Sequence, residues 1–350
     1  MWHEQNVVRE DLERISAATY VPWEALHGKT VLVTGATGLI GSALVKALLW
    51  YGGTRDAGLR VLALTRDRTR AEGSFARPLA AGAPMSFVEG EVETLDLDEH
   101  VDLIVHGASV TSSRDFVVRP VQTIRTALEG TQQILEIARA HDVTSLAYLS
   151  SMEVYGAPDG SRRIGESDFT GFDPMVVRSS YPESKRMAET LCAGYAAELG
   201  VHAKVLRLSQ TFGPGIAYDD GRVFAGFARS ALEGRDIVLH TPGETERNYL
   251  YTADAVTAIL TVLLRGQDGQ AYNAANEDTY CSIRAMAELV ARSCGPAPVA
   301  VRVEPQDGAR LGYAPTLKMD LDTSKLQALG WRPTVGLEEM YRRMTAAMVV

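Results

Sequence analysis

The chain has 350 residues, 35 Lys and Arg against 44 Asp and Glu, a formal charge of −9, 46% hydrophobic and 23% charged residues. That balance excludes a broad nucleic-acid-binding face and a polybasic membrane anchor, because both need surplus positive charge. A soluble globular protein of two domains, or one large α/β domain with a smaller satellite, is expected.

The N-terminal segment MWHEQNVVREDLERI carries acids where a signal peptide carries bases. Over 7–18, Val7, Val8, Leu12 and Ile15 recur near helical spacing, which predicts a short amphipathic helix ahead of the main fold, as a packing or dimer-contact appendage. No run reaches the roughly 18 to 20 apolar residues of a membrane span. Cys192, Cys281 and Cys294 lack C-x-x-C spacing and read as reduced thiols of a cytoplasmic protein. The histidines are scattered without metal-ligand spacing, so no metal is expected.

From Lys29 the pattern becomes strand, Gly-rich turn, helix. Strand-like runs follow at 61–64, 86–88, 103–106 and 145–149, with helical patterns over 131–140 and 182–199 and another strand at 203–208. This alternation predicts an α/β fold, a doubly wound parallel sheet of Rossmann type with right-handed crossovers. Beyond Thr211 come Gly-Pro turns, a helix at 223–232, a polar stretch at 240–247 and a helix at 253–264. The organisation expected is an N-terminal helical extension (1–28), a dinucleotide-binding domain (29–210, with 250–275 returning to it) and a substrate-binding cap (211–249 and 276–350).

The turn Thr34-Gly35-Ala36-Thr37-Gly38-Leu39-Ile40-Gly41 places backbone N–H groups at a helix N-terminus, where a pyrophosphate is favoured by hydrogen bonding and by the dipole. Gly35 permits the tight turn, Gly38 lets phosphates approach, and Gly41 lets the helix lie on the strand. The second strand ends Leu64-Thr65-Arg66-Asp67, so the acid that would bind the ribose diol of NAD is displaced and Arg66 stands beside it. The expected cofactor is NAD(P), with NADP favoured over NAD.

After the fifth strand comes Ser150-Ser151-Met152-Glu153-Val154-Tyr155-Gly156, and further on Tyr181-Pro182-Glu183-Ser184-Lys185. Tyr181 and Lys185, at i and i+4, share one helical face. A phenol with a reference pKa near 10 is a poor base at neutral pH, but an adjacent ammonium and a nicotinamide cation favour the phenolate. Tyr181 could then take a proton from a sugar hydroxyl as hydride leaves the same carbon, with Ser151 bonding that oxygen. His106, at a strand end, reads as a satisfied near-core histidine.

From about Lys29 to Met340, through TGATGLIG, SSMEVYG, YPESK, RLSQTFGPG, RNYLYTADAV and LGWRP, the sequence resembles the extended short-chain dehydrogenase/reductases of the nucleotide-sugar epimerase/dehydratase family. The resemblance implies a tightly held NAD(P) that oxidises a nucleotide diphosphate sugar at C4 and returns the hydride. Ser151, Tyr181 and Lys185 would be catalytic, with Glu153 beside them. Glu91, Val92 and Ala108 join Gly35, Thr37, Gly38, Leu39, Ile40, Gly41, Arg66, Tyr181 and Lys185 as cofactor contacts. Gln210, Arg222, Arg247 and Tyr249 would bind substrate, the two arginines at the diphosphate.

Departures narrow that carry-over. Met152 replaces the general-acid Asp of the 4,6-dehydratases, which argues against water elimination. Asp219 to Val223 resembles the UDP-glucuronate decarboxylases. Gln210 replaces a substrate-binding Asn, Ala127 an Asn that supports an active-site water, and Gly107 and Ser109 alter the fourth strand's ending. Lys318 falls near a diphosphate Arg of the family but reads equally as a solvated charge. The reading is an NAD(P)-dependent nucleotide-sugar epimerase. The alternatives are a hexuronate decarboxylase, an NADPH-dependent keto-sugar reductase and a non-catalytic dinucleotide-binding protein. A homodimer is expected by analogy, through helices 121–140 and 182–199.

Overall fold

The computed structural model describes residues 5–306 and 316–348. The outer parts of the expected extension and cap, 1–4, 307–315 and 349–350, lie outside the described residues. In chain order the elements begin with α1 (Asn6–Ser16), β1 (Thr30–Thr34), α2 (Leu39–Arg55), β2 (Arg60–Thr65), α3 (Arg68–Ser74), α4 (Ala76–Ala80), β3 (Met85–Glu89), β4 (Leu103–His106), α5 (Ser113–Val118), α6 (Pro120–Ala140) and β5 (Ser145–Ser151). There follow α7 (Ser180–Leu199), β6 (Ala203–Leu208), β7 (Gln210–Phe212), α8 (Val223–Leu232), β8 (Ile237–Leu239), β9 (Glu246–Tyr251) and α9 (Thr252–Arg265). The last are β10 (Ala271–Ala274), β11 (Asn276–Ser282), α10 (Ile283–Ser293), β12 (Val301–Val303), β13 (Lys318–Met319), α11 (Ser324–Gln327) and α12 (Leu337–Met348).

Seven strands form one parallel sheet in the order β10-β6-β5-β4-β1-β2-β3. The order reverses at β1 and β4, and in such sheets a ligand sits outside the carboxyl ends of the strands at that switch point. All but the edge strand β3 are buried nearly end to end, as in β1 (Val31, Leu32 and Val33), because helices cover both faces. Helix α2 is apolar on most of its surface: it lies on the sheet and is covered in turn by α1 and α9. Helices α6 and α7 cover the other face, over Leu32, Ile104, Leu146 and Val205.

The second layer is built on β9, which pairs with β7, β11 and β13. The sequence reads 240–247 as a polar stretch, yet Glu246 and Arg247 begin this central strand. Neighbouring strands supply partners that local composition does not reveal, so tertiary pairing overrides propensity. Helix α1 packs on α2, α9 and α12. Its Asp11 carboxylate, 8% exposed, accepts from Tyr251 Oη at 2.5 Å and from Arg343 Nη2 at 2.9 Å, while Arg343 Nε donates to Tyr251 Oη at 2.9 Å. Among the described residues, no helix is long and apolar enough to cross a membrane, and no group of three or more His, Cys, Asp or Glu is arranged to hold a metal ion.

Candidate active site

The β1–α2 turn is shaped by backbone contacts. Gly35 has φ of 68°, and a Cβ there would lie 2.7 Å from the Gly107 carbonyl oxygen; one on Gly41 would lie 2.1 Å from the Gly35 oxygen. Gly38 is different: a Cβ there would meet only the Gly35 oxygen, at 3.3 Å, and the residue is exposed. Two glycines are therefore demanded by the protein's own packing, and the third leaves the helix entrance bare. No side chain caps α2 at Gly38, so the first-turn N–H groups of Leu39, Ile40 and Gly41 remain available to an anion. The donor set and the bare cradle fit a dinucleotide pyrophosphate.

The β4 end is tied to this turn by a buried polar chain. Thr34 Oγ1 accepts from the Gly107 and Ala108 N–H groups, each at 3.1 Å, and lies 2.7 Å from His106 Nδ1. With those acceptances made, the threonine proton goes to Nδ1, and Nε2–H donates to Thr131 Oγ1 at 3.2 Å. Burial, helped by the Lys185 charge, pushes the imidazole down to about 3, so His106 is neutral and positions the turn.

The expected cofactor residues do not all face the cleft. Ala108 holds the turn through its N–H. Val92 is 4% exposed and packs under Gly130 of α6, whose added Cβ would meet Val92 Cγ1 at 2.7 Å. Arg66 and Glu91 are exposed at the ends of β2 and β3, with 3.8 Å between their charged atoms. The Asp67 carboxylate accepts from Arg70 N–H and caps α3.

Strand β5 ends in Ser151, whose hydroxyl accepts the Glu153 N–H at 3.2 Å across the 3-10 turn Met152–Tyr155. The same hydroxyl lies close enough to the Tyr181 phenol to pull its pKa down. Tyr181 and Lys185 sit one turn apart on α7, both buried. Lys185 Nζ donates to the Leu149 carbonyl at 2.8 Å and lies 4.6 Å from the Tyr148 ring centroid and 5.9 Å from that of Tyr181. Burial lowers its ammonium to about 8, with Glu189 opposing the shift.

The electrostatics of Tyr181 differ from the sequence expectation. Burial pushes its phenol well above the ordinary value and the Glu153 charge adds to this; Ser151 and Arg178 pull the other way. The Lys185 ammonium, 5.9 Å from the Tyr181 ring centroid, is directed at the Leu149 carbonyl. The protein's own groups thus hold Tyr181 as a phenol.

Arg178 was not singled out from the sequence. It lies in the 3-10 turn Val177–Ser179 that leads into α7, and its Nη2 donates to Glu153 Oε2 at 2.8 Å. Its guanidinium lies 4.7 Å from the Phe116 ring centroid, and Phe116 of α5 stacks on Tyr181 at 4.1 Å. The only signal in the chain is an arginine three residues before the tyrosine. Met152 is 5% exposed and packs with Val154, Ile164 and Leu321, so position 152 offers the cleft no proton.

Among the expected substrate contacts, Gln210 opens β7 opposite Tyr249. Arg222 precedes α8 and forks onto the Asp220 carboxylate at 2.9 and 2.6 Å. Arg247 is in β9 rather than on a loop, and its buried Nε has no hydrogen-bond partner. Tyr249 is 1% exposed and packs edge-on against Phe212, so it supports the core under Arg247. Lys318 remains exposed in β13, 3.9 Å from Glu246.

The family model "NAD dependent epimerase/dehydratase family" matches residues 31–275. UDP-glucuronic acid decarboxylase 1 of Xenopus tropicalis is 30% identical over 334 residues, covering 94% of this chain and 75% of that protein. The fold is similar to that of the UDP-glucose 4-epimerase of Thermotoga maritima, solved with UDP-glucose (TM-score 0.76, 23% identity, 91% of this chain and 98% of that one). It is also similar to that of the UDP-glucuronic acid 4-epimerase of Bacillus cereus, solved with NAD (TM-score 0.70, 22% identity, 91% and 98%).

Proposed function

Because the chain belongs to the NAD-dependent epimerase/dehydratase family of enzymes, we propose that it oxidises a nucleotide-linked hexuronate at C4 and that the oxidised sugar then loses carbon dioxide. The observation that carries this reading is the grouping of Ser151, Tyr181, Lys185 and Glu153 at the carboxyl end of β5, with a buried methionine where an elimination enzyme needs an acid. The likeness to a UDP-glucuronic acid decarboxylase across nearly the whole chain supports decarboxylation over the epimerase reading that the motifs alone put first.

A bound dinucleotide supplies the hydride acceptor, and later donor, for C4. Gly35 and Gly38 to Gly41 would hold its pyrophosphate, and Lys185 its nicotinamide ribose. Beside the cationic nicotinamide of a bound dinucleotide, Tyr181 would ionise and take the proton of the C4 hydroxyl, while Ser151 donates to the same oxygen. The product is a β-keto acid: its C5–C6 bond breaks with release of carbon dioxide, and the electron pair passes into the C4 carbonyl as an enolate. Tyr181, now a phenol, and Ser151 both donate to that oxygen, which the phenol's raised pKa suits. Protonation at C5 then restores a keto sugar, and hydride return to C4 completes a redox-neutral cycle.

Two finer assignments accompany this reading. NADP is favoured over NAD, because β2 ends in Thr65 with Arg66 exposed beside it and Asp67 is used as a helix cap. A homodimer is favoured by exposed Val118, Val121 and Ile124 along α5 and α6 together with Met187 on the adjoining α7.

Incubation of the purified enzyme with UDP-glucuronate tests the reaction. Released carbon dioxide without net consumption of dinucleotide is the expected result. A product of unchanged mass assigns epimerisation instead, and stoichiometric NADPH consumption assigns a reductase.

A further inference from the structure

Arg178 has one hydrogen bond among the described residues, from a single Nη2 to Glu153. A guanidinium carries five N–H donors in a planar fork, and this one, 23% exposed, is not saturated by protein partners among the described residues. Three arginines of other polar clusters, by contrast, are used up. Arg207 makes five hydrogen bonds to Glu189, Tyr155 and the Glu166 carbonyl. Arg343 is held by Asp11, Glu10, Glu339, Tyr251 and the Val7 carbonyl, and Arg222 is held by Asp220. Arg178 alone stands open within electrostatic reach of the Tyr181 phenol.

Its position matters because Glu153 is there too. A lone carboxylate beside the catalytic tyrosine would repel an anionic sugar. Arg178 neutralises it through one nitrogen and leaves the other edge of the fork free. Phe116 lies under the guanidinium and stacks on Tyr181, so the cation is held by an apolar floor at a fixed distance from the reacting hydroxyl. A planar fork with one edge occupied and one edge open, beside the ring carbon to be oxidised, matches a carboxylate one carbon further along the sugar.

We infer that Arg178 reads the C6 carboxylate of the sugar and is the residue that selects a hexuronate over a neutral hexose. The assignment rests on the hexuronate reading given above. Glu153 keeps its bond to Nη2 and orients the guanidinium, so it acts as the positioning residue of the pair.

Affinities measured in a Tyr181→Phe background, where turnover does not intrude, test this with UDP-glucuronate and UDP-glucose as the two probes. Arg178→Gln is expected to weaken UDP-glucuronate by roughly 10- to 100-fold and UDP-glucose by less than about threefold, with Arg178→Lys between wild type and Gln. Equal losses for the two sugars would overturn the assignment; Glu153→Gln, whose amide oxygen can still accept from Nη2, is expected to give a smaller selective loss than Arg178→Gln, and a larger one would also overturn it. Unchanged circular dichroism and dinucleotide retention certify that the variants are folded. Absence of both carbon dioxide and isomer from wild-type enzyme with UDP-glucuronate would overturn the proposed reaction; the ratio of the two affinities would still decide Arg178.

Discussion

Two arginine–carboxylate pairs lie on either side of the β5 end and teach opposite lessons. Arg207 and Glu189, 6% and 10% exposed at the side chain, are closed: Ser150 donates to Glu189 at 2.5 Å, Tyr155 accepts from Arg207 at 2.9 Å and passes its own proton to Asn273 at 2.5 Å. Arg178 and Glu153, 23% and 32% exposed, share one hydrogen bond, and no further side-chain hydrogen bond holds either among the described residues. Successive residues of one strand serve the two clusters, because neighbouring side chains on a strand point to opposite faces: Ser150 anchors the closed pair and Ser151 faces the open one. A buried pair that is fully bonded fixes structure, whereas a half-bonded pair at a cleft keeps capacity for a ligand.

The largest effect that can test this contrast is on turnover. Tyr181→Phe should lower the rate with UDP-glucuronate by about 10²- to 10⁴-fold while shifting the urea midpoint little, since only a hydroxyl is lost. Retained turnover would remove the open cluster from catalysis. Next in size is Glu189→Gln, which leaves the Arg207 guanidinium buried without its counter-charge and should cost roughly 3 to 5 kcal/mol of unfolding free energy. The matching change on the other side, Glu153→Gln, should cost no more than about 1 kcal/mol. Equal losses in urea titrations would erase the distinction between the clusters.

A smaller effect concerns the neutral histidine. Because the His106 pKa is depressed from 6.5 to about 3 in the folded state, the unfolded chain binds a proton below pH 6.5 that the folded chain does not. The stability it contributes is therefore complete above that pH and is lost as pH falls toward 3, at up to about 1.4 kcal/mol per pH unit. His106→Gln should flatten that part of the stability profile, and an unchanged slope between pH 6 and 4 would count against a neutral imidazole. Smallest is Arg66→Gln, an exposed change that should move the NADP:NAD affinity ratio toward NAD by about three- to tenfold without touching either cluster.

Much of this was legible in the sequence wherever the backbone itself makes the demand. Gly35 and Gly41 are required by approaches of the main chain that no side chain survives, and Tyr181 and Lys185 share a face through helical spacing alone. Strands such as β1, β2 and β4 were legible because burial on both faces makes them nearly continuously apolar, whereas β10 was not among the strands read from the sequence. Arg178 was not, since its meeting with Glu153 depends on how the turn before α7 settles over the end of β5. Nor was the strand character of Glu246 and Arg247, which comes from two neighbours distant in sequence. The direction of Lys185 toward the Leu149 carbonyl was equally hidden, because spacing along a helix does not say where an ammonium finds its acceptor.

The link between α1 and α12 has a consequence for the order of assembly. Asp11 and Arg343 are separated by 332 positions in the chain, so this contact closes one of the longest loops in the molecule. During synthesis the seven-stranded sheet has all its strands once Ala274 has emerged, but the Asp11 carboxylate waits for Arg343 as its counter-charge, and with it the Tyr251 end of β9. The parallel sheet can therefore nucleate and consolidate first, and the layer built on β9 locks last. Nascent chains halted before α12 should expose β9 to proteases while the sheet that holds the dinucleotide is already protected.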